Sequence, residues 1–361
     1  MATKNSNASR KILALDLGGS KMLSAIVTIS DGNGARHSEL SGLSKRYLSK
    51  DSGREGVWKA IISSVDETIG SSRVQWNEID AIGTTIPGVA DPKRGYWVYA
   101  PFSGIHDFPI GEELSSYYDR PVFADNDVNA CAWGEKVLGV CQDVDNFLWI
   151  TISNGIGGGL VLNGQIYPGK FSGAAEIGHF NVVKDGIQCG CGNRGCLEAT
   201  AAGPGIALRY REYVEKVASG CSDVSTETVK EWNDYLVQKY EKNDVPILLE
   251  AEIAQAKGAS AASIAEEARR GNPIALAIYQ ETGSLIGRAA SWAANLINPE
   301  KIVIGGGVSG SFDLFYPALW DEFQKCVFRQ TNQSLTIEKT GLGYLAGLMG
   351  AAALAFDYPY K

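Results

Sequence analysis

Twice along this chain of 361 residues, an apolar run breaks at a polar-glycine cluster and resumes as a second apolar run. Residues 11–18 read as a buried strand and 21–29 as its returning partner, which puts Asp16, Gly18, Gly19, Ser20 and Lys21 at the tip of a hairpin. The pattern restarts near Asn146: a strand at 147–152, a polar-glycine turn at 153–159 and a return strand at 160–167. Two such units in successive halves predict a duplicated α/β architecture. A helix at about 54–69 and a strand at 79–85, stopped by Ile86-Pro87-Gly88, fill out the first half. Asp125-Asn126-Asp127 then precedes a helical pattern over 128–138, with Asp127 at the N-cap position.

Downstream, 204–295 is mostly helical by periodicity, with Ala-rich runs at 259–270 and 273–294, the second ended by Asn298-Pro299. A strand at 301–304 leads into a third glycine turn, Gly305-Gly306-Gly307, and 341–356 reads as a small-residue helix. The charged, aromatic stretch from about 215 to 250 carries no motif and reads as a helical elaboration.

Between the second hairpin and the helices stands Gly178-His179, followed by Cys189-Gly190-Cys191-Gly192-Asn193-Arg194-Gly195-Cys196. One imidazole and three thiolates make a complete tetrahedral zinc set, and the interleaved glycines let thiolates so close in sequence converge on one ion. Four protein ligands leave no open position for a reacting water, so this zinc is structural. The same metal pins Glu176 and Glu198 nearby, and carboxylates are natural grips for a polyol. Gly190-x-Gly192-x-x-Gly195 matches the dinucleotide fingerprint but lies inside the knuckle without strand-turn-helix context, so the match is false. No P-loop pattern is present.

Composition narrows the class. Seven cysteines imply disulfides only in a secreted chain, and residues 1–11 are polar with no apolar signal core, so a reducing, cytoplasmic setting is expected. Cys131, Cys141, Cys221 and Cys326 are then ordinary small apolar residues. A net charge of -8 without a basic cluster argues against nucleic acid as a partner. The longest uncharged apolar stretch, 344–356, is too short to span a bilayer, so no membrane partner is expected.

The Asp16-Leu17-Gly18-Gly19-Ser20-Lys21 hairpin, Ile86-Pro87-Gly88, Asn126-Asp127, the glycine turn at 155–159, Glu176-Ile177-Gly178-His179, the cysteine knuckle ending in Leu197-Glu198, and Gly305-Gly306-Gly307-Val308 together resemble the ROK family, in order and spacing, across nearly the whole chain. The resemblance implies an actin-like (ribonuclease H-like) two-lobed ATPase fold of the α/β class with a structural zinc knuckle at 179–196. It implies a small lobe of residues 1–125 rejoined by a C-terminal helix at 343–361, and a large lobe of 126–342. The activity implied is phosphorylation of a hexose, of glucokinase type, or of an N-acetylhexosamine, mannose or fructose, by ATP with magnesium; a homodimer is implied as well.

Position by position, Asp127 resembles the base that takes the proton of the attacking sugar hydroxyl. The helix dipole is expected to keep this carboxylate ionised and to lower its basicity. Asn126, Glu176, His179 and Glu198 resemble ligands of the sugar hydroxyls, with the Gly88 backbone bordering the same pocket. Asp16 resembles the magnesium residue, and Gly18, Gly19, Ser20 and Lys21, together with Ser153, Asn154, Gly155, Gly305, Gly306 and Gly307, resemble the nucleotide-phosphate turns. His179, Cys189, Cys191 and Cys196 resemble the zinc ligands, His179 offering its second ring nitrogen toward the sugar.

Two departures stand out. Asn154 occupies a position where the family commonly has threonine, and Pro101-Phe102 with Ile105 stands where the family often has Asn-Leu and a downstream tryptophan, so that at least one polar contact on the sugar side is expected to be missing. Sugar-sensing repressors of the same family carry a helix-turn-helix ahead of the sugar domain, for which the roughly ten residues before the first strand are too few. A catalytically silent sugar binder, which the Asn154 departure would suit, and a redox or nucleic-acid zinc protein complete the competing classes.

Overall fold

The computed structural model describes residues 9–32, 35–48, 53–100, 104–221, 225–240 and 252–360. Two compact units emerge: one of residues 1–149, 158–175 and 340–361, the other of 150–157 and 176–339.

The first unit is built on a five-stranded sheet of order β3-β2-β1-β4-β8: β1 (Arg10–Leu17), β2 (Lys21–Asp31), β3 (Arg36–Tyr47), β4 (Ala81–Ile86) and β8 (Val122–Asn126). β1 and β2 form the expected hairpin, antiparallel from Arg10↔Ile29 to Leu17↔Met22, and β4 and β8 add in parallel. Both faces of β1 are buried, which explains its continuous apolar run. Leu13, Leu15 and Leu17 face one core with Val57 and Ile61 of helix α1 (Gly53–Ser72), while Ile12 and Ala14 face another with Leu348 and Ala352. A small antiparallel sheet, β5 (Val89–Asp91), β6 (Tyr96–Ala100) and β7 (Ile105–Phe108), and helix α2 (Ile110–Tyr118) precede β8. Of the departing segment noted in the sequence, Ile105 opens β7; 101–103, including Pro101 and Phe102, lie outside the described residues.

Helix α3 (Asp127–Leu138) follows β8 without a loop, and the last helix, Ala346–Phe356, packs against α3, β1 and β4. That last helix is apolar nearly all round because it is buried nearly all round. The contacts allow no side chain at key glycines: a Cβ on Gly83 would lie 1.7 Å from the Ala351 carbonyl oxygen, and one on Gly350 2.2 Å from that of Ala130.

The second five-stranded sheet has order β11-β10-β9-β12-β13, from β9 (Phe147–Ile152), β10 (Ile156–Leu162), β11 (Gln165–Ile166), β12 (Lys301–Gly305) and β13 (Thr336–Lys339). In local numbering both sheets read 3-2-1-4-5, the signature of a duplication. The turn expected over 153–159 is shorter than the sequence pattern suggested. It comprises Ser153, Asn154 and Gly155, and Gly157, Gly158 and Gly159 lie within β10. These glycines serve packing: a Cβ on Gly159 would meet the Val128 carbonyl oxygen at 2.9 Å, and one on Gly158 that of Ala175 at 2.4 Å. The return strand also stops early, at Asn163-Gly164 with φ of 52° and 73°, a two-residue hairpin turn that both residues tolerate.

Helices of the second unit include α4 (Leu197–Ala201), α5 (Gly203–Ala218), α6 (Thr226–Tyr240), α7 (Ala261–Arg269), α8 (Pro273–Ile297) and α9 (Phe312–Cys326), and the helix Ala346–Phe356 is α10. Asn298, left-handed at φ 49°, ends α8 ahead of Pro299. The elaboration expected over 215–250 is helical in α6, while 241–251 lie outside the described residues. Among the described residues no helix is long and apolar enough to cross a membrane.

Candidate active site and metal knuckle

In the first unit, Asp16 sits one residue from the end of β1, where the strand feeds a tight turn closed by the Gly18 amide on the Lys21 carbonyl at 2.9 Å. A Cβ on Gly18 would approach that carbonyl oxygen to 2.9 Å, so the turn requires glycine. Gly19 and Ser20 are exposed at the tip, and Lys21 opens β2 with its ammonium 2.8 Å from the Tyr344 hydroxyl. Burial raises the Asp16 carboxyl above the usual carboxylate range, although a Thr85 hydrogen bond and the Lys21 charge oppose the rise. A divalent cation beside Asp16 fits this setting, since it restores the solvation that burial removes.

Asn126 and Asp127 stand at the corner between β8 and α3. The expected N-cap is displaced by one residue. Asn126 caps the helix, its side-chain oxygen accepting the amides of Val128 at 2.9 Å and Asn129 at 3.4 Å, while Asp127 begins the helix proper. The Asn126 amide group donates to the Gly88 carbonyl at 2.7 Å, bringing together two of the residues assigned to sugar contact. Gly88 has φ of 86°, and a Cβ there would lie 2.5 Å from the Tyr99 carbonyl oxygen.

The expected acidification of Asp127 is also reversed. Burial, then repulsion from Asp16, pushes its carboxyl up to about 7, outweighing the helix-terminal amide of Val128 at 3.1 Å. The dipole acts as foreseen in sign but loses to desolvation. Such a group is a proton acceptor poised near neutrality.

In the second unit, the ligand atoms of His179, Cys189, Cys191 and Cys196 lie within 4.8 Å of one another. Cys191 and Cys196 sulfurs are 3.7 Å apart, and Cys189 Sγ is 3.9 Å from His179 Nδ1. A tetrahedron with zinc–sulfur arms of ~2.3 Å has edges of ~3.8 Å, so these atoms fit zinc with little movement. Burial and the neighbouring sulfurs push the Cys196 thiol up to about 12, whereas the Asn193 amide helps lower that of Cys191; a cation among them makes thiolates the stable form. The knuckle turns at Gly192 and Gly195, with φ of 94° and 74°, and contains no strand-turn-helix.

With Nδ1 turned to the sulfurs, His179 Nε2 lies 3.8 Å from Glu176 Oε2, on a side chain 36% exposed. Glu198, in the first turn of α4, accepts the Ile156 amide at 3.0 Å through Oε2, and its Oε1 lies 3.9 Å from Cys189 Sγ. It therefore ties the knuckle to the Ser153–Gly155 turn. The Gly203 amide fixes that turn by donating to the Ser153 carbonyl at 2.8 Å. The third turn lies alongside: Gly306, at φ 81°, would bring a Cβ within 2.4 Å of the Ile152 carbonyl oxygen, and Gly307 faces Ser153 Oγ. Asn154 is exposed and borders a cavity of about 290 Å³ with Cys189, Glu198, Pro204 and Leu208.

Three participants escaped the sequence reading. Thr85 bonds Asp16, Tyr344 holds Lys21, and Tyr360 donates to Asp125 directly behind the Asn126-Asp127 corner. None belongs to a motif; Thr85 alone carried a signal, as a polar residue in a wholly buried strand.

The sequence profile of the ROK family matches residues 12–357. A glucokinase of Halalkalibacterium halodurans is 29% identical over 349 residues, 96% of this chain and 95% of its own length. The crystal structure of a ROK family glucokinase from Streptomyces griseus in complex with glucose and AMPPNP is 27% identical, covers 96% of this chain and 99% of its own, and superposes with a TM-score of 0.72. The DNA-binding transcriptional repressor Mlc of Escherichia coli is 26% identical over 83% of this chain but only 66% of its own length.

Proposed function

The chain belongs to the ROK family, and on that premise we propose that it acts as an ATP-dependent hexokinase of glucokinase type, with Asp127 as the base. The family's actin-like α/β fold is the one described above, and the chain is a sugar kinase. The observation that carries the mechanism is the Asp127 carboxyl, set at the head of α3 and pushed up to about 7. In its ionised form it accepts the proton of the attacking sugar hydroxyl as the oxygen bonds to the terminal phosphorus of ATP and the bond to the leaving ADP oxygen breaks. Asn126, whose amide and carbonyl groups are fixed by Gly88 and the helix cap, orients that hydroxyl.

Asp16 would hold magnesium, which supplies charge neutralisation at the phosphates. The turns at Gly18–Lys21, Ser153–Gly155 and Gly305–Gly307 would offer their remaining backbone amides to phosphate oxygens, those of Gly18 and Ser153 being taken up in closing their own turns. His179, Cys189, Cys191 and Cys196 would hold zinc, and its contribution is rigidity: it fixes the His179 ring so that Nε2 and the Glu176 carboxylate present a donor and acceptor pair to sugar hydroxyls. Glu198, whose Oε2 accepts the Ile156 amide, would offer Oε1 to a sugar hydroxyl.

Glucose is the acceptor we favour, because curated relatives similar over nearly their whole length, from Halalkalibacterium halodurans, Streptomyces coelicolor and Thermotoga maritima, are named glucokinases. A coupled ADP-release screen of glucose, mannose, fructose, N-acetylglucosamine and N-acetylmannosamine tests both levels. Turnover with glucose at the highest kcat/KM supports the full reading, turnover with another sugar corrects the acceptor, and sugar binding without ADP release across the panel overturns the kinase.

A further inference from the structure

Both oxygens of Asp125 are fully engaged, in a residue only 1% exposed. Oδ1 accepts the Asn126 amide at 2.6 Å and the Asn129 side-chain amide at 3.3 Å; Oδ2 accepts the Tyr360 hydroxyl at 2.5 Å. A carboxylate this deep is tolerated only where hydrogen bonds replace water. What those bonds grip is the corner itself, because Asn126 is at once the last residue of β8, the cap of α3 and the neighbour of Asp127.

Tyr360 reaches Asp125 from a tail that is independently fastened. Trp133 Nε1 donates to the Asp357 carbonyl at 2.6 Å, the Tyr358 hydroxyl donates to the Pro92 carbonyl at 2.7 Å, and the Tyr358 ring lies 5.1 Å from that of Phe123. The Tyr360 hydroxyl is therefore not what keeps the tail in place. Among the described residues it is the one tail group whose bond ends on the acid behind the catalytic corner.

We propose that Tyr360 and Asp125 are positioning residues for Asp127: the phenol orients the Asp125 carboxylate, and Asp125 fixes the strand-to-helix corner from which Asp127 meets the sugar hydroxyl. The inference rests on the reading of Asp127 as base. It assigns the carboxy-terminal tail a part in turnover, and it predicts an effect on the chemical step and not on the binding of either substrate.

The test is steady-state kinetics on the full chain, with the sugar that turns over best, for Tyr360→Phe, Tyr358→Phe, Asp125→Asn, the Tyr360→Phe/Asp125→Asn double variant and Asp127→Asn. Tyr360→Phe keeps the ring and the other fastenings. It should lower kcat about 5- to 30-fold while both KM values stay within about twofold. Tyr358→Phe, which breaks a tail bond that ends elsewhere, should leave kcat within about twofold. The double variant should be no slower than the slower single variant, as expected for residues acting through one bond.

Normal kcat in Tyr360→Phe, an equal loss in Tyr358→Phe, or multiplicative losses in the double variant would each overturn the proposal. If Asp125→Asn does not fold, the contrast between the two tyrosine variants still decides it. An inactive Asp127→Asn beside a normal Tyr360→Phe rejects the positioning role and leaves the base intact. Near-normal kcat in Asp127→Asn rejects both.

Discussion

Thr85 Oγ1 donates to Asp16 Oδ1 at 2.9 Å, and the same oxygen accepts the Leu17 amide at 2.8 Å. One hydroxyl thus locks the proposed magnesium carboxylate to the strand that carries it. Thr85→Val preserves shape and removes both bonds. The expected outcome is a rise of about 5- to 20-fold in the KM for magnesium-ATP with the sugar KM little changed. An unchanged dependence on magnesium concentration would remove Asp16 from the metal site.

Asp127→Asn should lower kcat by about 10²- to 10⁴-fold and leave sugar affinity, read by calorimetry, within a few-fold. The same change should stabilise the fold at neutral and alkaline pH. A carboxyl whose folded-state pKa is raised from 3.8 to about 7 favours folding below its unfolded pKa and loses that contribution as pH rises through the folded value. The neutral amide escapes the loss, so the variant's melting temperature should exceed wild type above pH 7 by about 2–6 °C and match it near pH 3.

The pH dependence of turnover carries a second signature. Repulsion from Asp16 helps hold Asp127 up, and a divalent cation at Asp16 cancels that repulsion. The acidic limb of the kcat/KM profile should therefore move to lower pH as magnesium is raised from limiting to saturating. A limb that does not move would place the cation elsewhere.

Metal analysis of the purified protein should find one zinc per chain. Cys196→Ala, at a fully buried ligand, should lose it and lower the melting temperature, and the sugar KM should rise more than the ATP KM, by about 10-fold. Zinc loss with sugar kinetics intact would disconnect the knuckle from His179 and Glu176.

Gly83 has no room for a methyl group, since the Ala351 carbonyl oxygen would lie 1.7 Å away. Gly83→Ala should cost about 3 kcal/mol or more and appear in denaturant unfolding as a lower midpoint. A midpoint within error of wild type would mean that α10 can slide on the sheet.

Much of this organisation was legible in the sequence, for reasons that differ by element. The two hairpins were readable because their strands are apolar and their tips are polar and glycine-rich; the knuckle was readable because metal ligands have a fixed chemistry and spacing. β3 was not, since its exposed, mostly polar residues resemble a loop and only pairing with β2 makes them a strand. The Gly157–Gly159 run looked like a turn because close packing and tight turning select the same residue. The sequence places Asp127 one position off, as the cap and not the first residue of α3, and hides its basicity, because desolvation depends on what the rest of the chain brings around it. Tyr360 was invisible for the same reason: its partner Asp125 is 235 residues away in sequence.

The close approach of α10 to Gly83 also has a meaning in time. A ribosome delivers β1, β2 and β4 well before α10, so until residues 346–356 are made the face bearing Ile12, Ala14 and Val27 lacks its cover. The first unit to be made is the last to be closed. Nascent chains halted before residue 346 should thus be the species that chaperones hold and proteases find, and the same late arrival brings Tyr360 to Asp125. On this ordering, the corner bearing Asp127 gains its Tyr360 hydrogen bond only after the strands of both sheets have been made.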